Sequence, residues 1–555
     1  MPDRSAQDPS AALPSTGAVP PPAPPSSTTR EDVGRPAALV SIATFSSRIA
    51  GLVRESLFGS LFGVGATADA FVVAFRIPNL LRDLFAEGAL SSAFVPTFAK
   101  VRAERGDAAS FRLARTVIGT LLALTGILAG LGIVFAPAVV DAIAGHAPAE
   151  VRRIAIPLTR IMFPFLGLVA LAAVWMGVLN AHRRYLVPAF SPVAFNLSAI
   201  AAGVALHLAG VPAERAVTVW AVFVLIGGAA QAFVQWPTVR KVGLRGAPRV
   251  DLLFRDPDLR TVVRRMGPSA IALAGTQFMI VVTTALAVEH EGWVAGMNYG
   301  FRLIHLPIGL IGVALGTVSL AAASRRAAAG DAPGVNDVVR RGLRLNLFLA
   351  LPAAVGLAVL AEPVVRLVYE RGAFDARATA FAVDAVRAYG LGIVFYAGIK
   401  VAATAFHARG DMRRPMFASL VGIGVNVLTA VFGTRLLGFA AMPLATAFGA
   451  FVNYAILRGL DRGSRGPGAA PGGGFLVRVV LATAVLGAFA FAVGRALLAR
   501  GAPLGHGLFL VAGLFVTIVS AAAVYFVLAA WLRIEEASFA RRLWSPRPRG
   551  QSPGR

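Results

Sequence analysis

Nine charged side chains carry most of the chemistry open to this sequence. Eight fall within residues 48–98, an otherwise apolar stretch: Arg48, Arg54, Glu55, Asp69, Arg76, Arg82, Asp83 and Glu87. The ninth, Arg302, lies far downstream in Tyr299-Gly-Phe-Arg302-Leu-Ile-His305-Leu-Pro307, where the nearest carboxylate is Glu291. Guanidinium suits bidentate binding of phosphate or carboxylate. Near the centre of a membrane-spanning helix each charge costs roughly 2.5–3.5 kcal/mol on insertion scales. Charges kept at that cost pair with one another, sit in a water-filled cavity, or meet a charged ligand.

At 100° per residue, positions seven apart lie within about 20° of each other on a helix. Asp69, Arg76 and Asp83 therefore form one polar stripe, and Arg48 and Glu55 share a face. One reading is a network of buried ion pairs that locks helices together, with Glu55, Asp69, Arg76, Asp83 and Glu87 as supporting members. The other is an intramembrane anion site, in which arginines of this stretch converge with Arg302 on one cavity. Arg302 favours the second, because its partner must come from another helix or from a ligand. Gly51, Gly59, Gly63, Pro78, Pro96, Pro307, Gly309, Gly312 and Gly316 interrupt the same helices, allowing either hinging or close packing.

Other chemistries find no residues. The chain has no cysteine, hence no disulfide, thiol nucleophile or zinc-cysteine site. It has no G-x-x-x-x-G-K-[ST] and no H-E-x-x-H, and its seven histidines lack metal-ligand spacing. The sequence points to a protein that binds and moves something without transforming it, with no cofactor and no metal.

The elements that must position these residues are membrane spans. Of 555 residues 57% are hydrophobic and 15% charged, against about 25% charged in a soluble protein. An all-α polytopic membrane protein follows. Apolar stretches place fourteen transmembrane helices at 36–62, 67–98, 111–142, 153–180, 188–210, 214–239 and 261–288. The remainder fall at 293–323, 340–369, 377–407, 414–436, 438–459, 474–499 and 505–533. Loops after even-numbered helices are basic, as with Lys100/Arg102/Arg105, Arg183/Arg184 and Arg325/Arg326. Loops after odd-numbered helices are short and more acidic or balanced, Arg152/Arg153 excepted. The positive-inside rule then puts both termini in the cytoplasm. It also accounts for the net charge of +25 without a nucleic-acid partner.

Residues 1–35 are Pro/Ser/Ala-rich with no apolar core, and read as a disordered cytoplasmic tail rather than a signal peptide. A faint parallel repeat matches Pro36…Thr44 with Pro268…Thr276, and Phe75-Arg76-Ile77 with Phe301-Arg302-Leu303. It suggests two six-helix lobes, 36–240 and 241–465, around a central cavity. Two extra C-terminal helices at 466–535 and a basic tail at 536–555 complete the chain.

Several motifs resemble the lipid II flippase family (MurJ/MviN). They are Ser47-Arg48-Ile-Ala-Gly51-Leu-Val-Arg54-Glu55, Phe62-Gly63-Val-Gly65-Ala-Thr67-Ala-Asp69-Ala70-Phe71 and Phe75-Arg76-Ile-Pro78-Asn79-Leu80-Leu81-Arg82. Others are Phe85-Ala86-Glu87-Gly88-Ala89, Asn180-Ala-His-Arg-Arg-Tyr, Met266-Gly267-Pro268, Gly312-Val-Ala-Leu-Gly316-Thr317 and Tyr369-Glu-Arg-Gly372-Ala-Phe374. The resemblance runs from about residue 36 to 535. It implies a fourteen-helix member of the multidrug/oligosaccharidyl-lipid/polysaccharide exporter superfamily. Such a protein moves lipid II, the undecaprenyl-diphosphate-linked peptidoglycan precursor, to the outer leaflet by alternating access. Carried over residue by residue, the substrate-binding arginines are Arg48, Arg54, Arg82 and Arg302, and the motif aspartate is Asp69. The resemblance also implies a polyprenyl-tail groove on the last two helices and a place in the bacterial inner membrane. The partners are then lipid II, membrane lipids, and peptidoglycan-synthesis or division proteins.

Two positions depart from the family pattern: Asp83 stands where a second basic residue often follows Arg82, and Phe301 where a carboxylate often precedes Arg302. Three rivals stay in view. A flippase for another polyprenyl-diphosphate oligosaccharide would need the same arginines. A cation-coupled drug exporter would favour cavity carboxylates. A non-transporting membrane scaffold would not need Arg302.

Overall fold

The computed structural model describes residues 31–82, 89–461, 472–501 and 506–538, and every regular element among them is helical. The expectations for residues 1–30 and 539–555, and for Asp83 and Glu87, lie outside the described residues. Helix α1, Glu31–Phe62, begins five residues before the expected start of the first span, so part of the expected tail is helical. Helix α2, Ala66–Arg82, and the start of α3, Ala89–Val134, make the second pass. Gly106, at φ 79° and ψ −178°, breaks α3, and its remainder is the third pass, extended by α4, Ala136–Ala144.

The fourth pass is a broken pair, α5, Ala149–Met162, and α6, Phe165–Ala181, meeting at 40°. Pro164 lies at the break, where it cannot donate to the helical ladder. Then come α7, Leu186–Leu208, α8, Ala213–Phe233, continued by the short α9, Trp236–Lys241, and α10, Pro257–Ala287. The eighth pass joins α11, Trp293–Pro307, through a π-helical segment, Ile308–Val313, to α12, Ala314–Ala328. Helices α13, Ala332–Val359, and α14, Ala361–Val368, follow. Another 40° bend separates α15, Ala376–Gly390, from α16, Ile393–Ala408. Next is the hairpin of α17, Arg413–Leu437, and α18, Ala441–Leu460, joined by a 3-10 turn at Gly438–Ala440. Helices α19, Gly473–Gly501, and α20, His506–Trp531, close the series.

Among the described residues, length and apolarity alone identify eight spans, or ten with the bent pairs. One of the eight, Arg413–Leu460, holds two helices. The described parts of α1, α2 and α10 fall outside that test, the described apolar part of α10 being Gln277–Ala287. The whole set is consistent with the expected fourteen.

Helix α1 packs on α7 and α8, α2 on α5, and α3 on α6. Farther along, α11 packs on α15, α13 on α16, and α17 on α18, while α10 touches both α3 and α17. The last pair, α19 and α20, lies against α13 and α14, where the Tyr525 hydroxyl donates to the Phe348 carbonyl at 2.7 Å. At one end the two groups of helices meet through aromatic rings. Phe58 lies 5.5 Å from Trp220 and 6.5 Å from Tyr299, which in turn packs 5.0 Å from Phe374 and 5.1 Å from Tyr369. Large buried rings with few rotatable bonds make this a dry seal.

Candidate functional site

Backbone contacts reinforce the aromatic seal. The amide of Ala373 donates to the Ser60 carbonyl at 2.8 Å, and the Tyr299 hydroxyl to the Gly63 carbonyl at 2.9 Å. Gly63, at φ +56°, lies so close to the Ala373 carbonyl that no Cβ would fit. Close packing, rather than a free hinge, explains this glycine. Asp69, 0% exposed, completes the seal: its Oδ2 accepts from the Gly292 amide at 2.6 Å and its Oδ1 from the Ala295 amide at 2.8 Å. A carboxylate on α2 thus caps the N-terminus of α11, where amides lack helical partners and the dipole favours negative charge. Asp69, expected among the supporting members of an ion-pair network, takes backbone amides of the other helix group as its partners.

On the other side of the seal, Glu55 gathers three partners. Arg54 Nη2 donates to its Oε2 at 3.2 Å, and Asn298 Nδ2 to its Oε1 at 2.8 Å. Arg302 Nε stands 3.8 Å from Oε2. The Glu55 side chain is only 7% exposed, whereas that of Arg302 is 52% exposed. Arg302 therefore leans on a carboxylate across the two helix groups while about half of its side chain stays exposed. Around this clasp, Arg54, Glu55, Phe58, Arg76, Asn79 and Arg302 line a small void of about 70 Å³. Arg76 and Arg302, the matched arginines of the sequence repeat, both reach it.

From the clasp a larger cavity of about 640 Å³ runs away from the seal. Arg48, Arg54, Asn196 and Gln235 line it on one side, and Arg302, His305 and Lys400 on the other. Asn196 is held by donating to the Ser47 carbonyl at 3.1 Å, which ties α7 to α1 beside Arg48. Among the described lining residues four cations face one carboxylate, Glu55. Such a cavity attracts anions, because walls lined by one sign of charge focus the field within it.

Of the expected site residues, the cavity brings together Arg48, Arg54, Glu55 and Arg302, with Arg76 in the adjoining void. Arg82 ends α2, and its side chain lies outside the described residues, as do Asp83 and Glu87. Sequence reasoning missed Lys400 and Asn298. Lys400 carried a readable signal, being a lone charge in the apolar run Ile393-Val-Phe-Tyr-Ala-Gly-Ile-Lys400-Val-Ala-Ala. Among the described residues no group of three or more His, Asp or Glu is arranged to hold a metal.

A family model described as lipid II flippase MurJ matches residues 58–518. The chain is 35% identical over 434 residues to the lipid II flippase MurJ of Burkholderia cenocepacia, covering 76% of this chain and 82% of that protein. It is 32% identical over 529 residues to a probable lipid II flippase MurJ of Bdellovibrio bacteriovorus, covering 93% and 98%. A solved structure of a lipid II flippase MurJ in an inward closed conformation superposes with a TM-score of 0.73 at 23% identity, over 92% of this chain and 100% of that one. An inward-facing multidrug resistance MATE transporter of the MOP superfamily superposes at 0.62 with 16% identity, covering 75% and 94%. At such identities these two structures speak for the fold alone.

Proposed function

Because this chain belongs to the lipid II flippase MurJ family, we propose that it carries lipid II from the cytoplasmic to the outer leaflet of the bacterial inner membrane by alternating access. One observation carries the reading: a cavity between two helix groups, sealed at one end, in which Arg48, Arg54, Arg302 and Lys400 face one carboxylate, Glu55, among the described residues. A diphosphate is the part of the substrate that such a cavity recognises, each charge-assisted contact contributing roughly 1.5–3 kcal/mol. Arg48, Arg54, Arg82 and Arg302 are the residues assigned to it, with Glu55 holding two of them in place.

In this reading both termini are cytoplasmic, because the basic loops follow the even-numbered spans. The seal is then at the outer face, and the cavity is reached from the inner side. Residues 36–240 and 241–465 are the bodies that rock against each other. The helices within 466–535, apolar and packed against the second body, supply the groove for the polyprenyl tail. Peptidoglycan-synthesis or division proteins are the protein partners. The cation excess of the cavity disfavours the drug-exporter alternative, whose cationic substrates need carboxylates.

The test is a leaflet-sidedness assay for lipid II in cells that depend on this chain. Arg48→Ala and Arg302→Ala are expected to abolish outer-leaflet lipid II while the folded protein stays at parental levels. Normal outer-leaflet lipid II in both variants would overturn the anion-site reading.

A further inference from the structure

The clasp is not the cavity's sole concentration of positive charge. Arg48 lies seven residues before Glu55 on α1, and Gly309 seven residues after Arg302 on the eighth pass. At 1.5 Å per residue, each lies about 10 Å from the clasp, on the side away from the seal. The Arg48 guanidinium rests directly on the backbone at Gly309, where a Cβ would collide with it. That glycine belongs to the π-helical segment Ile308–Val313, a geometry frequent at functional sites. From α16 comes the second cation, Lys400. Its stem runs over two more glycines of the same pass, with the positions of a Cβ at Gly312 and Gly316 lying 3.4 Å from its Cδ and 3.2 Å from its Cβ. A π turn and three glycines thus seat one cation from each helix group along the same pass, both lining the cavity. Lipid-facing packing would not require a lysine there, and α16 is otherwise apolar around it.

We propose that Arg48 and Lys400 form a second anion station, which receives the substrate's diphosphate before Arg54 and Arg302 do. The inference rests on the flippase reading and goes beyond it by adding Lys400 and an order of contacts. A diphosphate is shorter than the gap between the two stations, so it occupies them in turn. Charge sets the order. At the clasp, Glu55 already engages Arg54 and stands beside Arg302. At the outlying station no carboxylate lines the cavity among the described residues. An incoming anion meets the uncompensated pair first, and then displaces Glu55 from its arginines.

The test uses the full chain in lipid nanodiscs with geranylgeranyl diphosphate as the probe and the monophosphate as control. Binding is followed by stopped-flow tryptophan fluorescence, since Trp220 lines the void at the clasp and reports arrival there. Lys400→Met, which keeps the stem and removes the charge, is expected to slow association about tenfold or more while changing dissociation less. Lys400→Arg is expected to restore the association rate, which a merely structural lysine would not require. Unaltered association in Lys400→Met, or no rescue by Lys400→Arg, overturns the station. If Arg302→Ala weakens binding while Lys400→Met does not, the flippase reading stands and the station falls. Failure of the parent chain to prefer the diphosphate removes both.

Discussion

Asp69→Ala should open the seal without unfolding the protein. The carboxylate is fully buried and accepts from the Gly292 amide at 2.6 Å and the Ala295 amide at 2.8 Å. Removing it strands two buried donors, each costing about 1–3 kcal/mol. When the two helix groups part, water satisfies those amides, so the cost falls on the sealed state alone. Two donors together give about 2–6 kcal/mol, a shift of about 30-fold or more toward the open state. The parent chain has no cysteine, so one probe can be introduced cleanly. Ser60 is suited, being buried in the seal with its carbonyl accepting from Ala373. The labelling rate of Ser60→Cys by a membrane-impermeant thiol reagent, applied from outside, should rise by about that factor in Asp69→Ala. Asp69→Asn keeps one acceptor oxygen and should give about half the effect on a free-energy scale. Unchanged labelling in Asp69→Ala, with an unchanged melting temperature, would refute the capping argument.

Gly63→Ala should raise the same labelling rate, because φ +56° strains alanine and its Cβ meets the Ala373 carbonyl; a still-protected Ser60→Cys speaks against it. Glu55→Gln keeps the Asn298 contact but removes the negative charge beside Arg54 and Arg302, so prenyl-diphosphate affinity should rise about tenfold while lipid II turnover falls. Equilibrium binding beside the leaflet assay checks this, and weaker binding would contradict it. At the turn before α13, the Arg326 guanidinium and then the Gly334 amide hold the Asp331 carboxyl below the usual carboxylate range. A lowered folded value means stabilisation present above the unfolded value, about pH 4, and lost as pH falls through the folded one. The melting-temperature gap between parent and Asp331→Asn should therefore narrow as pH falls below about 4, and a gap that widens or stays constant there would exclude this.

Hydropathy and loop charge made the helical plan legible, because both are sums over many residues. The bends at Pro164 and near Gly392 were not, since the spans 153–180 and 377–407 stay apolar through each break. Convergence of Arg48, Arg54 and Arg302 was readable from cost alone, as lone mid-span arginines demand a cavity or a partner. The identity of Arg302's neighbour was not readable: Glu55 belongs to another helix group, and no periodicity links them. Asp69 misled for a simpler reason. Its partners are backbone amides of α11, which have no residue signature, so the stripe of charges on its own helix looked like its context. Lys400 was visible, yet the expectation that basic residues belong in loops drew attention away from a lysine inside a span.

Seal and clasp share helices α1 and α11. Along α11, Gly292 and Ala295 bind Asp69, Asn298 binds Glu55, Tyr299 binds the Gly63 carbonyl, and Arg302 stands over Glu55. Along α1, Glu55 is one residue from Ser56, whose hydroxyl donates to the Val368 carbonyl in the seal. A ligand that takes Arg54 and Arg302 from Glu55 therefore loosens contacts belonging to the sealed arrangement, and it can shift the equilibrium only by its differential affinity. Moving such an equilibrium from 1:99 to 99:1 takes about 5.5 kcal/mol. One charge-assisted contact, at about 1.5–3 kcal/mol, falls short; two reach about 3–6 kcal/mol. An anion that engages one arginine would bind without switching the protein, whereas a diphosphate long enough to engage both reaches the threshold at the upper end of that range. Selectivity for a diphosphate head would then come from the energy needed to break the seal as much as from the fit of the cavity.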